Sequence, residues 1–391
     1  MRVVVIIQNL LMAFAVFKIC SYAQKKLFLP IWSSYVFLGI HFMVAIMNQF
    51  LAGRSAAYPN SIITEGITLS LFLLFIHATM EAMLTQSLKY VLFATLYAAL
   101  LMDTRKQMLI CFIILFGALF FGWMKQKEYF KKMGLSLLIM AGGLLLAMGG
   151  TKLYNYALRG EFSGSTRNMN LVLTTSLYIC DREDVSLIEE EAIQDLFLET
   201  FDTLDAKELN ISYAEDGWSG LAYHYTISFD QITCDVTEKT FVENAIERGF
   251  EEGMKAEEEA DRMSSVIVSS LLKDNLSKYI RIYFASFMEG LINTVAKRHP
   301  ILDLYSIFAY ILYLALTVKM MIKKETRIIG LSSLLVLLSI LVNIGVTAAL
   351  IFCQTRYMIY NMALFYMMLF AMLLHLFKKS SSPVEQTNSP L

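Results

Sequence analysis

Four ionisable residues lie where apolar stretches of the chain begin or end, and their types suit the binding of an anion. Glu65 occurs in YPNSIITEG, Arg105 and Lys106 in LLMDTRKQML, and Arg356 in CQTRYMIY. Ionisable groups are costly in a bilayer, and at its edge they usually face a cavity or a headgroup. A guanidinium is permanently charged and can bind phosphate through two hydrogen bonds. The four residues therefore predict a site for an anion such as a lipid phosphate, in which the acid could orient hydroxyl groups.

Each residue also has a simpler interpretation. A charged side chain at the end of an apolar stretch often does no more than extend its charge into water. The prediction of a site depends on the four residues lying together on one side of a membrane, which the surrounding sequence must establish.

Motifs of soluble enzymes are absent from the sequence, including GxGxxG, the P-loop, GxSxG and HExxH. The five histidines are scattered without the spacing of metal ligands, so we predict no metal site. Five cysteines in 391 residues exclude a disulfide scaffold. Cys180 and Cys234 either form a disulfide or remain free thiols.

The composition is that of a membrane protein with one soluble segment. Hydrophobic residues make up 57% and charged residues 17% of the chain, which excludes a disordered chain, a fibrous repeat and an ordinary cytosolic enzyme. The net charge of −1 conceals a segregation. Residues 151–300 hold 27 of the 34 acids but 14 of the 33 bases, a net −13, and the remainder is +12. An acidic exposed segment also argues against nucleic-acid binding.

About nine apolar stretches are long enough, or nearly so, to cross a bilayer core as helices of roughly 20 residues. We predict an all-α polytopic membrane protein with six spans in residues 1–150, a mainly helical insert at 151–300, three spans in 301–378, and a polar, disordered tail at 379–391. The predicted spans are 3–21, 29–51, 65–84, 87–102, 107–124, 134–150, 302–322, 328–352 and 357–377.

The distribution of Lys and Arg in the short loops predicts the orientation, because positive loops stay in the cytoplasm. With strict alternation, the basic clusters after spans one, five, seven and nine all fall on one side. This places the C-terminus in the cytoplasm, the insert outside, and Glu65, Arg105, Lys106 and Arg356 at the outer edge of a plasma membrane. An N-terminus outside the cell, with no segment to direct its translocation, has two interpretations: a short tail that crosses by itself, or an upstream helix that this chain lacks.

The insert should be a single, mainly helical domain. Ser186 and Glu189 form a capping-box pattern before a helix. The alternating apolar residues of 221–229 suit a strand, with a short helix as the alternative, and 239–273 suits a helix. Residues 276–296 place apolar side chains on one stripe, and such a helix before a span usually lies along the bilayer surface.

Several segments resemble successive helices of GT-C glycosyltransferases. They are VVVIIQNLLMAFAVFKICSYAQKKLF, YPNSIITEGITLSLFLLF, LYAALLMDTRKQMLICFIILF and QTRYMIYNMALFYMMLF. The positions that carry the resemblance are Gln8, Pro59 with Thr64 and Glu65, Arg105, and the Arg356–Tyr357 pair. The acidic insert, followed by a juxtamembrane helix and His299–Pro300, looks like a bacterial subgroup of that superfamily.

The resemblance implies that the chain transfers a sugar from a polyprenyl-phosphate donor to an envelope acceptor on the outer face of the membrane. Arg105 would hold the lipid phosphate, Glu65 would contribute to the cavity, and Arg356 with Tyr357 would face the donor headgroup. The resemblance leaves open whether a divalent cation takes part, and no other cofactor is predicted. In this superfamily the catalytic acid follows a first helix that has no counterpart here, so we expect that acid to lie upstream of Met1.

Two other functions remain open. A non-catalytic accessory or scaffold protein of envelope assembly would use the acidic insert to bind partners. A transporter is less favoured, because Glu81 is the one candidate for an acid inside the membrane and is expected near the inner edge.

Overall fold

The computed structural model describes residues 2–51, 64–124, 128–160, 162, 164 and 168–377; the side chains of 47–51 and Arg159 are outside this description. Within these ranges the chain is almost entirely helical and contains no strand. This confirms the all-α class. Residues 379–391, predicted to be a disordered tail, and Pro59 lie outside the described residues.

Ten helices form the apolar body of the protein. The first six are α1 (Arg2–Lys26), α2 (Ser33–Leu51), α3 (Thr64–Thr85), α4 (Leu88–Thr104), α5 (Ile110–Trp123, after a 3₁₀ turn at Lys106–Leu109) and α6 (Tyr129–Arg159). After the insert come α13 (Pro300–Ile322), α14 (Arg327–Leu350), the short α15 (Thr355–Met358) and α16 (Met362–Phe377).

Seven helical segments among the described residues are long and apolar enough to cross a membrane. They are α1, α3, the 106–123 segment, α6, α13, α14 with its preceding turn, and the 355–377 segment. The 17-residue α4 is shorter, as are residues 33–46, the part of α2 whose side chains are described. Each of the nine predicted spans thus corresponds to a helical segment, and the protein is a multi-pass membrane protein, but nine crossings stay a prediction.

Burial separates the central helices from the peripheral ones. α3 packs against α1, α4 and α5, and α14 packs against α5, α13 and α16, so both are largely buried. α1, α6 and α13 expose most of their surface, and this surface is apolar. A helix that is apolar all round and half exposed needs a hydrocarbon environment on its free side.

The insert between α6 and α13 is helical, and its buried apolar residues are continuous with the core of the membrane helices. Its helices are α7 (Asn170–Ile179), α8 (Glu191–Ala206), α9 (Gly217–Gln231), α10 (Glu238–Glu247), α11 (Met254–Leu271) and α12 (Leu276–Val295). α6 ends at Gly160, whose φ of +76° is a conformation that glycine adopts without steric cost. α13 begins with His299 as the N-cap and Pro300 in its first turn, where a missing N–H costs nothing.

Three local predictions for the insert were wrong. Residues 221–229 lie in α9, because Leu221, Tyr225 and Phe229 are also four residues apart and form one buried face of a helix. The predicted helix over 239–273 is divided at Gly249 and Gly253, which both have positive φ. The capping box lies at Asp181 and Asp184 rather than at Ser186 and Glu189.

Candidate functional site: a charge cluster at the insert end of the bundle

Three helix ends meet at the end of the bundle that carries the insert, which we call the insert end. Glu65 is in the first turn of α3, Arg105 directly follows α4, and Arg356 lies in α15 with Tyr357. The Nζ of Lys106 donates to Oδ1 of Asn168 at the start of the insert, over 2.5 Å, which places these helix ends beside it. The structure therefore brings together Glu65, Arg105, Arg356 and Tyr357, the residues predicted as a site.

Both arginines form ion pairs with the same carboxylate oxygen of Glu65. Nη1 of Arg105 and Nε of Arg356 each lie 3.2 Å from Oε1 of Glu65. The other oxygen, Oε2, accepts a hydrogen bond of 3.1 Å from the Thr64 hydroxyl. Both oxygens of the Glu65 carboxylate are thus engaged inside the protein.

Two tyrosines complete this group, which we call the Glu65 cluster (Glu65, Arg105, Arg356, Tyr357 and Tyr360). The ring of Tyr357 lies close to both guanidiniums, with its centroid 5.1 Å from Cζ of Arg105 and 4.9 Å from Cζ of Arg356. Arg105 also donates to the Tyr360 hydroxyl at 2.9 Å, and Arg356 donates to the Tyr357 hydroxyl at 2.8 Å. Stacking on an aromatic face adds to the attraction that holds a guanidinium in place.

The Glu65 cluster carries an excess positive charge in a largely buried position. Two guanidiniums face one carboxylate, so its formal charge is +1. The Glu65 side chain is 5% exposed, whereas those of Arg105 and Arg356 are 16% and 28% exposed. Among the described residues, the hydrogen bond of Arg105 to Tyr360 and its ion pair with Glu65 both use Nη1. Its other nitrogens remain available to an anion that approaches from the exposed side.

The segment that carries Arg356, Tyr357 and Tyr360 is held by a polar row on α14. Asn343 donates through Nδ2 to the Tyr357 carbonyl over 3.0 Å, and the Ser339 hydroxyl donates to Oδ1 of Asn361 over 2.7 Å. Nε2 of Gln107 donates to the Thr347 hydroxyl over 2.6 Å. This row escaped the sequence analysis. Its signal is the spacing of Ser339, Asn343 and Thr347 at four-residue intervals in an apolar helix.

The insert also touches the segment that carries the cluster. The rings of Phe229 on α9 and Phe352 lie 5.3 Å apart, and those of Phe352 and Tyr357 lie 6.0 Å apart. On α12, Asn293 donates to the Cys353 carbonyl over 2.8 Å. The position of Arg356 thus depends on both the membrane helices and the insert.

Two apolar grooves flank α2 near the Glu65 cluster. One, of about 740 Å³, lies between α1 and α2, and the other, of similar volume, lies between α2, α13 and α16. A small cavity next to Tyr360 shares Met12 and His41 with the first groove and Val44 with the second. The small cavity therefore connects Tyr360 of the cluster with residues that line the two grooves.

Other residues singled out in the sequence are not part of the Glu65 cluster as defined here. Lys106 is exposed and pairs with Asn168, and Gln8 is buried on α1. Glu81 lies at the opposite end of α3, 3.6 Å from Nζ of Lys26. Cys180 is buried and Cys234 is exposed, and no disulfide joins them. No group of three metal-ligating side chains occurs within the described ranges.

Comparison of the chain with models of protein families, with curated proteins and with solved structures gives no match. The functional argument therefore depends on the geometry of the site and on the resemblance noted in the sequence.

Proposed function

We propose that this chain is a GT-C-like membrane protein that binds the phosphate of a polyprenyl-linked sugar at the Glu65 cluster and transfers the sugar to an envelope acceptor outside the cell. The observation that carries the proposal is the pair of guanidiniums that share one carboxylate oxygen at the insert end. A phosphate placed against Arg105 and Arg356 would balance the excess charge, and its oxygens match the fork of donors on a guanidinium.

The neighbouring grooves support a lipid-linked rather than a free phosphate. Their walls are mainly apolar, with residues such as Val16 and Leu38 in one and Val44 and Leu369 in the other. A prenyl chain lying in either groove would keep its apolar surface out of water while its phosphate faces the cluster. Phe17 and Tyr35 line the first groove and expose their aromatic rings at its surface.

The state of Glu65 favours a second candidate, a non-catalytic protein that binds lipid-linked sugars for envelope assembly. A general base must be free to accept a proton from the acceptor hydroxyl. Both oxygens of Glu65 are occupied by Arg105, Arg356 and Thr64. Glu65 is therefore a residue that positions the arginines, and the predicted site residues do not include a base.

The binding step is tested with the full chain in lipid nanodiscs and a polyprenyl phosphate, with the uncharged polyprenol as comparison. We expect Arg105→Ala and Arg356→Ala each to weaken phosphate binding by about 10- to 100-fold, the value of one charge-assisted hydrogen bond. Lys106→Ala removes the same charge one position away without touching the cluster, and should change affinity by less than about twofold. Equal effects at Arg105 and Lys106 would exclude the cluster as the phosphate site.

A separate assay distinguishes the two candidates. Transfer of a radiolabelled sugar from its polyprenyl phosphate to envelope material would establish an enzyme. Tight binding that depends on Arg105, with no transfer by the full chain, would favour the non-catalytic protein.

A further inference from the structure

The helix α12 exposes a row of large apolar side chains and buries several polar ones. Leu276, Ile280, Phe284 and Met288 follow one another at four-residue intervals and are 50%, 46%, 59% and 41% exposed. We call these four residues the α12 stripe. On the opposite face, Ser286, Glu289 and Asn293 are buried together with the apolar side chains of Ile282, Ala285 and Ile292. A water-soluble domain shows the reverse arrangement, because apolar surface is stabilised by removal from water.

The helix α12 cannot rotate about its axis to bury the stripe, because specific contacts hold its opposite face in place. Asn293 donates to the Cys353 carbonyl, and Glu289 lies 3.8 Å from Arg298. The hydroxyl of Tyr279 donates to the Ala349 carbonyl at the end of α14. These contacts fix the rotation of α12 and leave the stripe exposed.

The stripe is continuous with the surface that faces hydrocarbon. The hydroxyl of Tyr310 on α13 donates to the Leu291 carbonyl over 3.1 Å, and that of Tyr366 on α16 donates to the Val295 carbonyl over 2.6 Å. The last turn of α12 therefore lies beside two membrane helices. Immediately after it, α13 exposes Leu304 and Phe308 at 66% and 70%.

Charge also distinguishes α12 within the acidic insert. Its one acid is the buried Glu289, whereas Arg281 is exposed beside the stripe. The helices α8, α10 and α11 expose many carboxylates, which a negatively charged lipid surface would repel. Basic and apolar residues together on one helix face are typical of a helix that lies in the headgroup layer.

We infer that α12 lies in the headgroup layer at the insert end, with the lipid surface as the partner of the α12 stripe. The lipid surface then fixes the position of the insert relative to the membrane helices. Through its buried face, α12 also fixes the position of the segment that carries Arg356. Its buried face contacts Cys353, and Asn293 lies 3.4 Å from the Thr355 hydroxyl, next to Arg356.

The test uses the full chain with Cys234→Ser, which removes the exposed thiol, reconstituted into phosphatidylcholine–phosphatidylglycerol vesicles. An environment-sensitive fluorophore is attached at Phe284→Cys, at Ile280→Cys or, as a control, at Asp195→Cys on the exposed side of α8. Lipids brominated near the headgroup should quench the first two labels at least about threefold more than the control, and aqueous iodide should show the opposite order.

Two outcomes would overturn the inference. Labels at 284 and 280 that iodide quenches as strongly as the control, without quenching by brominated lipid, would place α12 in water. Labels protected from both quenchers would place a protein surface, such as a second copy, over the stripe. Either result is independent of sugar transfer, because the measurement needs no substrate.

Discussion

The helix α3 carries one buried glutamate near each end, and the two differ in what surrounds them. Glu65 and Glu81 are 16 residues apart, about 24 Å along a helix, and are 3% and 8% exposed. Glu65 meets two guanidiniums at 3.2 Å and a threonine hydroxyl. Glu81 meets one ammonium group at 3.6 Å, that of Lys26, whose side chain is 45% exposed.

This difference shows that a buried carboxylate can hold two cations, which leaves a net positive charge, or pair with one cation, which leaves none. At the insert end one acid orders two arginines, and the excess charge remains available to a ligand. At the opposite end the acid and the lysine cancel, and the lysine extends into solvent. The ammonium group of a half-exposed lysine is a point charge that stays solvated by water, whereas a guanidinium can bind several partners at once. The comparison therefore predicts an anion site at the insert end and a simple surface pair at the other.

The largest effect should follow from Glu65→Gln, which would leave two guanidiniums beside each other without a counter-charge. Breaking a buried charge network by removing one partner costs about 3 kcal/mol or more. We expect a loss of about 3 kcal/mol in the free energy of unfolding, measured by SDS titration of the protein in mixed micelles. Glu81→Gln is the matched control on the same helix and should cost less than about 1 kcal/mol. Equal losses of unfolding free energy for Glu65→Gln and Glu81→Gln would contradict the proposed difference between the two ends of α3.

Arg356→Met should cost less than Glu65→Gln, because it leaves Glu65 and Arg105 as a balanced pair. The variant loses the ion pair at 3.2 Å and the 2.8 Å hydrogen bond to Tyr357, but the two guanidiniums no longer repel each other. We expect a loss of about 1–2 kcal/mol in the same titration. Arg356→Lys restores the charge but not the simultaneous contacts through Nε and Nη2, and should recover only part of the loss. A cost for Arg356→Met that equals that of Glu65→Gln would contradict the excess-charge interpretation.

A third buried carboxylate, Glu289 on α12, adds a pH dependence to the comparison. Burial raises the pKa of Glu289 above its ordinary value of 4.5, although Arg298 opposes the shift and Asp303 adds to it. An acid with a raised pKa in the folded protein holds its proton more tightly there than in the unfolded chain. Its contribution to stability is therefore present at low pH and falls as the pH rises above about 4.5, until the carboxyl ionises in the folded protein.

Glu289→Gln should remove that fall, because the amide does not titrate. We expect the difference in unfolding free energy between the variant and the native chain to grow in favour of the variant between about pH 4.5 and 8. Parallel pH profiles would mean that Arg298, at 3.8 Å, offsets the effect of burial on the pKa of Glu289.

Sequence patterns predicted the helices and the edge positions of Glu65, Arg105 and Arg356 because both follow from hydropathy. The sharing of one Glu65 oxygen could not be predicted, since it depends on how three helix ends from distant parts of the chain pack. Tyr360 was missed although it follows Arg356 by four residues, a spacing that places both on one helix face. The strand prediction at 221–229 failed because every fourth residue fits both the two-residue period of a strand and one face of a helix.

The smallest effect should come from Lys26→Met, and it tests the weaker half of the comparison. Lys26 is half exposed, and its Nζ lies 3.6 Å from Oε2 of Glu81, beyond hydrogen-bond distance. Exposed ion pairs of this kind contribute less than about 1 kcal/mol, because water solvates the lysine equally well in the unfolded chain. Lys25→Met removes the same charge from the neighbouring exposed position and should give the same small change. Lys26→Arg introduces a planar guanidinium that could bind both oxygens of Glu81. A clear gain in unfolding free energy for this variant would indicate that the two ends of α3 differ because of the type of cation, more than because of its place in the bundle.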